Sequence, residues 1–271
     1  MKKIIQIILC SLIFFEVLAQ QKENNNLFDI MISDAEIFFI DGISYFTYPI
    51  GMSGKEWLTT AGIGAGIYLS IQNDKNVRNW IDTDVNQFDD NFWRAFEHYG
   101  VIEYAEIGAI GTYAVGLFGN HGGTRKLGRM MFQSLSYSGL TAMFIRMIAG
   151  RKRPPLTSNH TDFIGFTSNN RFQSFPSGHT TVAFAFSTVL AEYFDSPWSR
   201  IGFYGLAGLA ATERIINNEH WLTDVILGAL IGIAGGVHVI NEESKRENNS
   251  PKSKLTISPS FNGINFRYRL N

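Results

Sequence analysis

The sequence predicts an all-α protein: a six-helix core bundle, membrane-embedded, with a signal peptide before it and a C-terminal β-hairpin after it. Three observations carry that prediction. Apolar segments near 57–71, 101–119, 127–149, 179–194, 201–216 and 222–240 are rich in Gly, Ala, Leu and Ile and show little strand-type alternation, which is the pattern of helices. Small residues recur within them, as in Gly62-Ile63-Gly64-Ala65-Gly66 and Gly228-Ala229-Leu230-Ile231-Gly232, and such residues let helices approach closely. Charged residues make up only 17% of the 271, below the roughly 25% of an ordinary soluble domain. With 45% hydrophobic residues, that excludes a disordered chain.

The elements follow in order. Lys2 and Lys3 precede an apolar run, Ile4 to Phe15, and Val17-Leu18-Ala19 offers a small residue for cleavage, so 1–19 reads as a signal peptide. Residues 20–56 form a polar spacer and an amphipathic lead-in, a short helical pair that Pro49 and Gly51 end. The helical domain spans 57–241. Within it, 72–100 is polar and reads as partly helical and solvent-facing. Residues 242–254 are charged and read as a linker, and 255–271 alternate on either side of Asn262-Gly263, the strongest short hairpin signal. The tail unit is therefore 242–271. Cys10 is the only cysteine, so no intramolecular disulfide or cysteine metal cluster can form. The net charge of -1 gives no bulk reason to expect a nucleic-acid partner.

Each helical segment is near the lower length limit for a membrane span, and Glu103, Glu106, Arg129 and Arg146 fall within them. A membrane-embedded bundle is the reading adopted, and a soluble exported bundle is the alternative. The expected location is the cell envelope: the inner membrane with a periplasm-facing site, or else the soluble periplasm. A cleaved signal with six spanning segments puts the functional clusters on the cytoplasmic side. A periplasmic site then needs a retained anchor, a non-spanning 57–71 segment or a soluble bundle.

Three clusters sit at segment ends: Arg146-(six residues)-Arg153-Pro154, Phe175-Pro176-Ser177-Gly178-His179, and Arg214-(five residues)-His220-(three residues)-Asp224. Antiparallel segments bring all three to one face. The guanidinium groups of Arg146, Arg153 and Arg214 grip phosphate oxygens bidentately. Ser177 and Gly178 open a helix whose backbone N–H groups cradle an anion. Asp224 holds one ring nitrogen of His220 as N–H and frees the other as a nucleophile, while His179 protonates the leaving oxygen. The arginines take over the charge stabilisation that a metal supplies elsewhere, so no metal and no cofactor is expected. His98, His121, His160 and His238 have no such context, although His160 lies in the loop between the first two clusters.

This constellation resembles the type 2 phosphatidic acid phosphatase superfamily, which includes bacterial non-specific acid phosphatases and vanadium-dependent haloperoxidases. The family pattern is Lys-(six)-Arg-Pro, Pro-Ser-Gly-His and Arg-(five)-His-(three)-Asp. The second and third parts match completely, and Arg146 stands in the place of the Lys. The resemblance covers about 127–240. It implies a six-helix core, a phosphohistidine on His220, leaving-group protonation by His179, and phosphate contacts from Arg153, Ser177, Gly178 and Arg214. The expected substrate is a lipid phosphomonoester or diphosphate presented at a membrane, with no obligate protein partner. The alternatives are a soluble acid phosphatase acting on small esters, a vanadium haloperoxidase and a non-catalytic lipid-binding protein.

Overall fold

A computed structural model describes residues 25–85, 90–249, 255–260 and 263–268. The signal segment 1–19 lies outside the described residues. The chain divides after Ile40 into two compact units, and everything functional described below lies in the second, from Asp41 onward.

Helix α1 covers Asn25–Thr47. It is one helix rather than the expected pair, because nothing breaks it before the turn at Tyr48–Gly51, where Pro49 sits. Helix α2 (Gly54–Ile71) starts at Ser53, whose side chain accepts from the Glu56 N–H while the Glu56 carboxylate accepts from the Ser53 N–H, a reciprocal capping box. The polar stretch then forms α3 (Asp74–Trp80), a π-helical turn (Ile81–Val85) and α4 (Asp90–Glu97). This stretch is not wholly solvent-facing: Asp74 is 1% exposed.

Three long helices and two shorter ones build the bundle. They are α5 (Ile102–Phe118), α6 (Gly122–Ala149), α7 (Gly178–Phe194), α8 (Pro197–Ile216) and α9 (Leu222–Asn249). Helix α6 stops at Gly150, which takes the left-handed conformation (φ 58°) that a residue without a Cβ adopts readily. Helix α8 begins with Ser196 as cap and Pro197 in the first turn. Helix α9 runs on through the charged stretch that read as a linker. Lys245 pairs with Glu242, and Arg246 pairs with Glu243 and bidentately with Asp41, so the charges support the helix instead of ending it. Near the C-terminus, β1 (Leu255–Ser260) and β2 (Gly263–Tyr268) run antiparallel, with Ser260 opposite Gly263.

Small residues fill much of the interior, beside larger ones such as Met130, Met131, Leu135 and Tyr137. Ala109, Ala142, Ala183, Ala185, Ala191 and Ala207 are fully buried, as are Ser134, Ser138, Ser187 and Thr188. Hydroxyl groups tie the helices together: Ser134 Oγ donates to the Ala185 carbonyl (3.0 Å), and the Tyr99 hydroxyl meets Ser187 Oγ at 2.7 Å. Along α9, Gly228, Gly232 and Gly236 lie so close to α7 that a Cβ on each would come within 2.5–2.6 Å of Ser177, Thr181 or Thr188. Large apolar side chains point outward instead. On α5 they are Tyr104, Ile107, Ile110 and Val115, on α6 Leu140, Met143, Phe144 and Ile148, and on α2 Trp57, Leu58, Ile63 and Leu69. These fall at helical spacing along one side of α5 and of α6.

Among the described residues, α9 over Leu222–Asn248 is long and apolar enough to cross a membrane. Phe92–Gly100 and Ile102–Phe118 pass the same test only as a pair bent by 58°. The other apolar segments do not reach that length and composition. Helix α7, for instance, has 17 residues.

Close packing also sets a stability expectation. A Cβ on Gly128 of α6 would lie 2.2 Å from the Tyr113 backbone nitrogen of α5. Backbone cannot swing aside, so Gly128→Ala is expected to lower stability by about 1–3 kcal/mol. The check is the thermal unfolding midpoint in detergent micelles.

Candidate active site

The C-terminal ends of α6 and α8 and the N-terminal ends of α7 and α9 share one end of the bundle. That is where all eight residues expected from the sequence are found.

Ser177 caps α7, its hydroxyl accepting from the Thr180 N–H at 3.4 Å, and its own N–H donates to the Asp224 carbonyl at 2.8 Å. The second and third clusters are thereby joined through the backbone. Gly178 is needed for approach: a Cβ there would meet the Arg146 guanidinium at 2.7 Å. Arg146, from the last turn of α6, therefore lies directly on the α7 N-terminus. Among the described residues it has no carboxylate partner, and its Nε is buried without a hydrogen-bond acceptor. His179 stands in the same first turn, within the fields of Arg214, His220, Glu97 and Arg153.

His220 is 4% exposed. Its Nδ1 lies 2.9 Å from the Ser174 carbonyl oxygen, which can only accept, so Nδ1 carries the proton and Nε2 keeps its lone pair. Asp224 is the more distant partner, with Oδ2 3.4 Å from the same nitrogen. The sequence assigned the orienting task to Asp224 alone. The structure gives the shorter contact to Ser174, which sequence reasoning missed because a backbone carbonyl has no residue signature.

Asp224 has no solvent exposure. Its Oδ2 accepts from the Ser174 hydroxyl and, at 2.9 Å, from the Trp221 N–H, while Oδ1 accepts from Arg151 Nη1 at 2.6 Å. Arg151, two residues after the end of α6 and next to Gly150, is likewise fully buried. It pairs a second time with Asp74 (2.6 Å), donates to the His160 carbonyl, and lies under the rings of Phe163 and Trp221 (5.0 and 5.4 Å). His160 thus takes part through its backbone. Neither Arg151 nor Asp74 was singled out from the sequence.

The arginines differ in how many of their donors are free. Arg214 spends Nε and Nη2 on the buried Glu213 and reaches Glu97 at 3.4 Å. Arg153 holds Glu219 at 2.6 Å, in a half-exposed pair. Among the described residues, carboxylates engage the forks of Arg214 and Arg153 in part, while Arg146 has no carboxylate partner. Lys152, out of register with the motif, pairs with Asp162 on the surface.

What this fold and site define is a class: residues 130–247 match the PAP2 superfamily. Helices α1 to α5, with Asp74 and Glu97, precede that match. Among relatives, a lipid A 1-phosphatase of Porphyromonas gingivalis is 46% identical over 65 residues, which is 23% of this chain and 15% of that protein. A lipid A 1-phosphatase of Rhizobium johnstonii is 32% identical over 108 residues, 39% of this chain and 43% of that protein. The chain therefore spans less than half the length of these curated relatives. In fold it is similar to the transmembrane PAP2-type phosphatidylglycerolphosphate phosphatase of Bacillus subtilis. The TM-score is 0.53 at 18% identity, covering 81% of this chain and 98% of that one.

Proposed function

We propose that the protein is a membrane-embedded phosphatase that hydrolyses a lipid phosphomonoester through a phosphohistidine on His220, at the outer side of the cell envelope's inner membrane. The observation that carries the reading is the meeting, at one helix N-terminus, of an unpaired guanidinium (Arg146) and a buried imidazole with its Nε2 free. In this mechanism Nε2 of His220 attacks phosphorus as the ester P–O bond breaks. His179 gives its proton to the departing oxygen. Water then attacks phosphorus, giving a proton to His179 as the new O–P bond forms and the N–P bond to His220 breaks, and inorganic phosphate leaves as His220 is regenerated. Arg146, Arg153, Arg214 and the Ser177–Gly178 backbone hold the phosphoryl oxygens.

The membrane reading is supported by the many exposed Ile, Leu, Phe and Trp side chains on the outside of helices whose contacts are made largely by small and hydroxyl residues. A water-soluble bundle does not expose such a belt. The relatives' printed activities support a lipid A phosphate as substrate, ahead of phosphatidic acid, phosphatidylglycerol phosphate or undecaprenyl diphosphate. The test is phosphate release by the purified protein in detergent micelles from these four lipids, with EDTA present. Release inhibited by vanadate supports the proposal. Release only from small soluble esters, by protein that stays in solution without detergent, overturns the lipid assignment.

A pH expectation accompanies it. Burial pushes the His220 imidazole below its ordinary 6.5, Asp224 offsets this in part, and the Arg153 charge adds to the depression. Attack needs the neutral ring, which persists above the lowered value. The acid limb of kcat/KM is therefore expected below pH 6.5.

A further inference from the structure

We propose that Asp74, on α3 and outside the segment shared with the superfamily, is a positioning residue for His220, acting through Arg151 and Asp224. It builds on the reading of His220 as the nucleophile. The geometry is a continuous buried chain. Asp74 Oδ2 contacts Arg151 Nη2 at 2.6 Å, and Arg151 Nη1 contacts Asp224 Oδ1 at 2.6 Å. Asp224 Oδ2 in turn lies 3.4 Å from His220 Nδ1. Asp74 is also fixed to the same helix end as Asp224: its Oδ1 accepts from the Thr223 N–H at 2.9 Å, and its Oδ2 accepts from the Thr223 hydroxyl. Asp74, Arg151 and Asp224 are 1%, 0% and 0% exposed.

Charge counting says what Asp74 adds. Arg151 beside Asp224 alone would make a neutral pair, and the carboxylate's field at the imidazole would be largely cancelled. With Asp74 present, two carboxylates face one guanidinium and the cluster keeps one net negative charge. That charge stabilises the positive charge that develops on the imidazole as Nε2 bonds to phosphorus. The other groups facing His220 do not supply it. Arg153 and His179 are cationic or neutral, and Glu219 is engaged by Arg153. Around Arg151 the other neighbours among the described residues include the Thr223 hydroxyl, which accepts from Nη1 at 3.1 Å, the His160 carbonyl and the rings of Phe163, Phe175 and Trp221.

The test titrates His220 directly, by NMR of the ¹³C/¹⁵N-histidine-labelled full chain in detergent micelles, assigned against His220→Gln. Phosphate release from short-chain phosphatidic acid is followed in parallel. Asp74→Asn is expected to lower the His220 pKa by about one unit and to shift the acid limb by the same amount. Asp74→Asn combined with Arg151→Gln, which again leaves one net negative charge, is expected to return the value towards wild type. Arg151→Gln alone is expected to raise it. Breaking a buried pair can unfold a protein, so the second comparison, Arg151→Gln with and without Asp74→Asn, stands on its own. Identical His220 titration in the two members of either folded pair overturns the proposal. If no lipid releases phosphate with wild-type protein, the functional reading fails while the titration still decides the role of Asp74.

Discussion

His220→Ala is expected to abolish lipid phosphate release, with a loss on the order of 10⁴-fold or more, as when a covalent nucleophile is removed from a preorganised site. No other group can take over the attack. The Nε2 lone pair of His220 exists because the Ser174 carbonyl holds the proton on Nδ1, and among the described residues His179 has no comparable tether. His179→Ala gives a second pattern. It leaves the nucleophile and removes only the proton donor, a step worth about 10²–10⁴-fold. Its loss is expected to shrink when the leaving group is a good one, such as p-nitrophenolate, because such a group needs no proton. Phosphate trapped on the protein in alkali-stable, acid-labile form is expected for wild type and absent for His220→Ala. The measurements are single-turnover phosphate release and phosphoprotein trapping on micelle-solubilised protein. Substantial turnover by His220→Ala would remove the phosphohistidine from the account.

How much of this was legible in the sequence depended on range. The bundle helices were, since their apolar runs are local and each boundary has a local cause, such as the Ser53 box or Gly150. The convergence of Arg146, Ser177 and His220 was also legible, because clusters at alternate ends of successive antiparallel helices must share a side. Asp74 was not. It sits in a stretch dense with Asp and Asn that reads as solvated, and its partner Thr223 is 149 residues away. The neutralisation of Arg214 was hidden for a related reason. Glu213 is adjacent in sequence, but that it turns inward with no exposure is settled by the packing of α8. The charged run after 241 read as a linker because its anchor, Asp41, belongs to the other end of the chain. Side-chain partners across large sequence separations are fixed by tertiary packing, which composition and periodicity do not encode.

Arg146→Ala is the second large effect, expected at about 10²–10³-fold in kcat/KM, the range for removing one strong oxyanion donor. The reason lies in the unequal state of the three arginines. Arg214 and Arg153 already face carboxylates, and a phosphate must compete with Glu213, Glu97 and Glu219 for them. Arg146 pays no such exchange, and its guanidinium rests on the Gly178 α-carbon at the N-terminus of α7. Arg146→Lys keeps the charge and restores the superfamily's residue, so it is expected to retain activity within about tenfold while losing bidentate grip. Gly178→Ala separates position from charge. The added methyl group meets the movable end of a long side chain at 2.7 Å, so Arg146 shifts off the cradle and the helices stay where they are. Its activity loss is expected to approach that of Arg146→Ala with an unchanged unfolding midpoint. In the Arg146→Ala background, Gly178→Ala is expected to cost little more, because the two act through one contact. Fully additive losses in that double-mutant cycle would mean that Arg146 and the α7 N-terminus do not act on the same oxygen atoms.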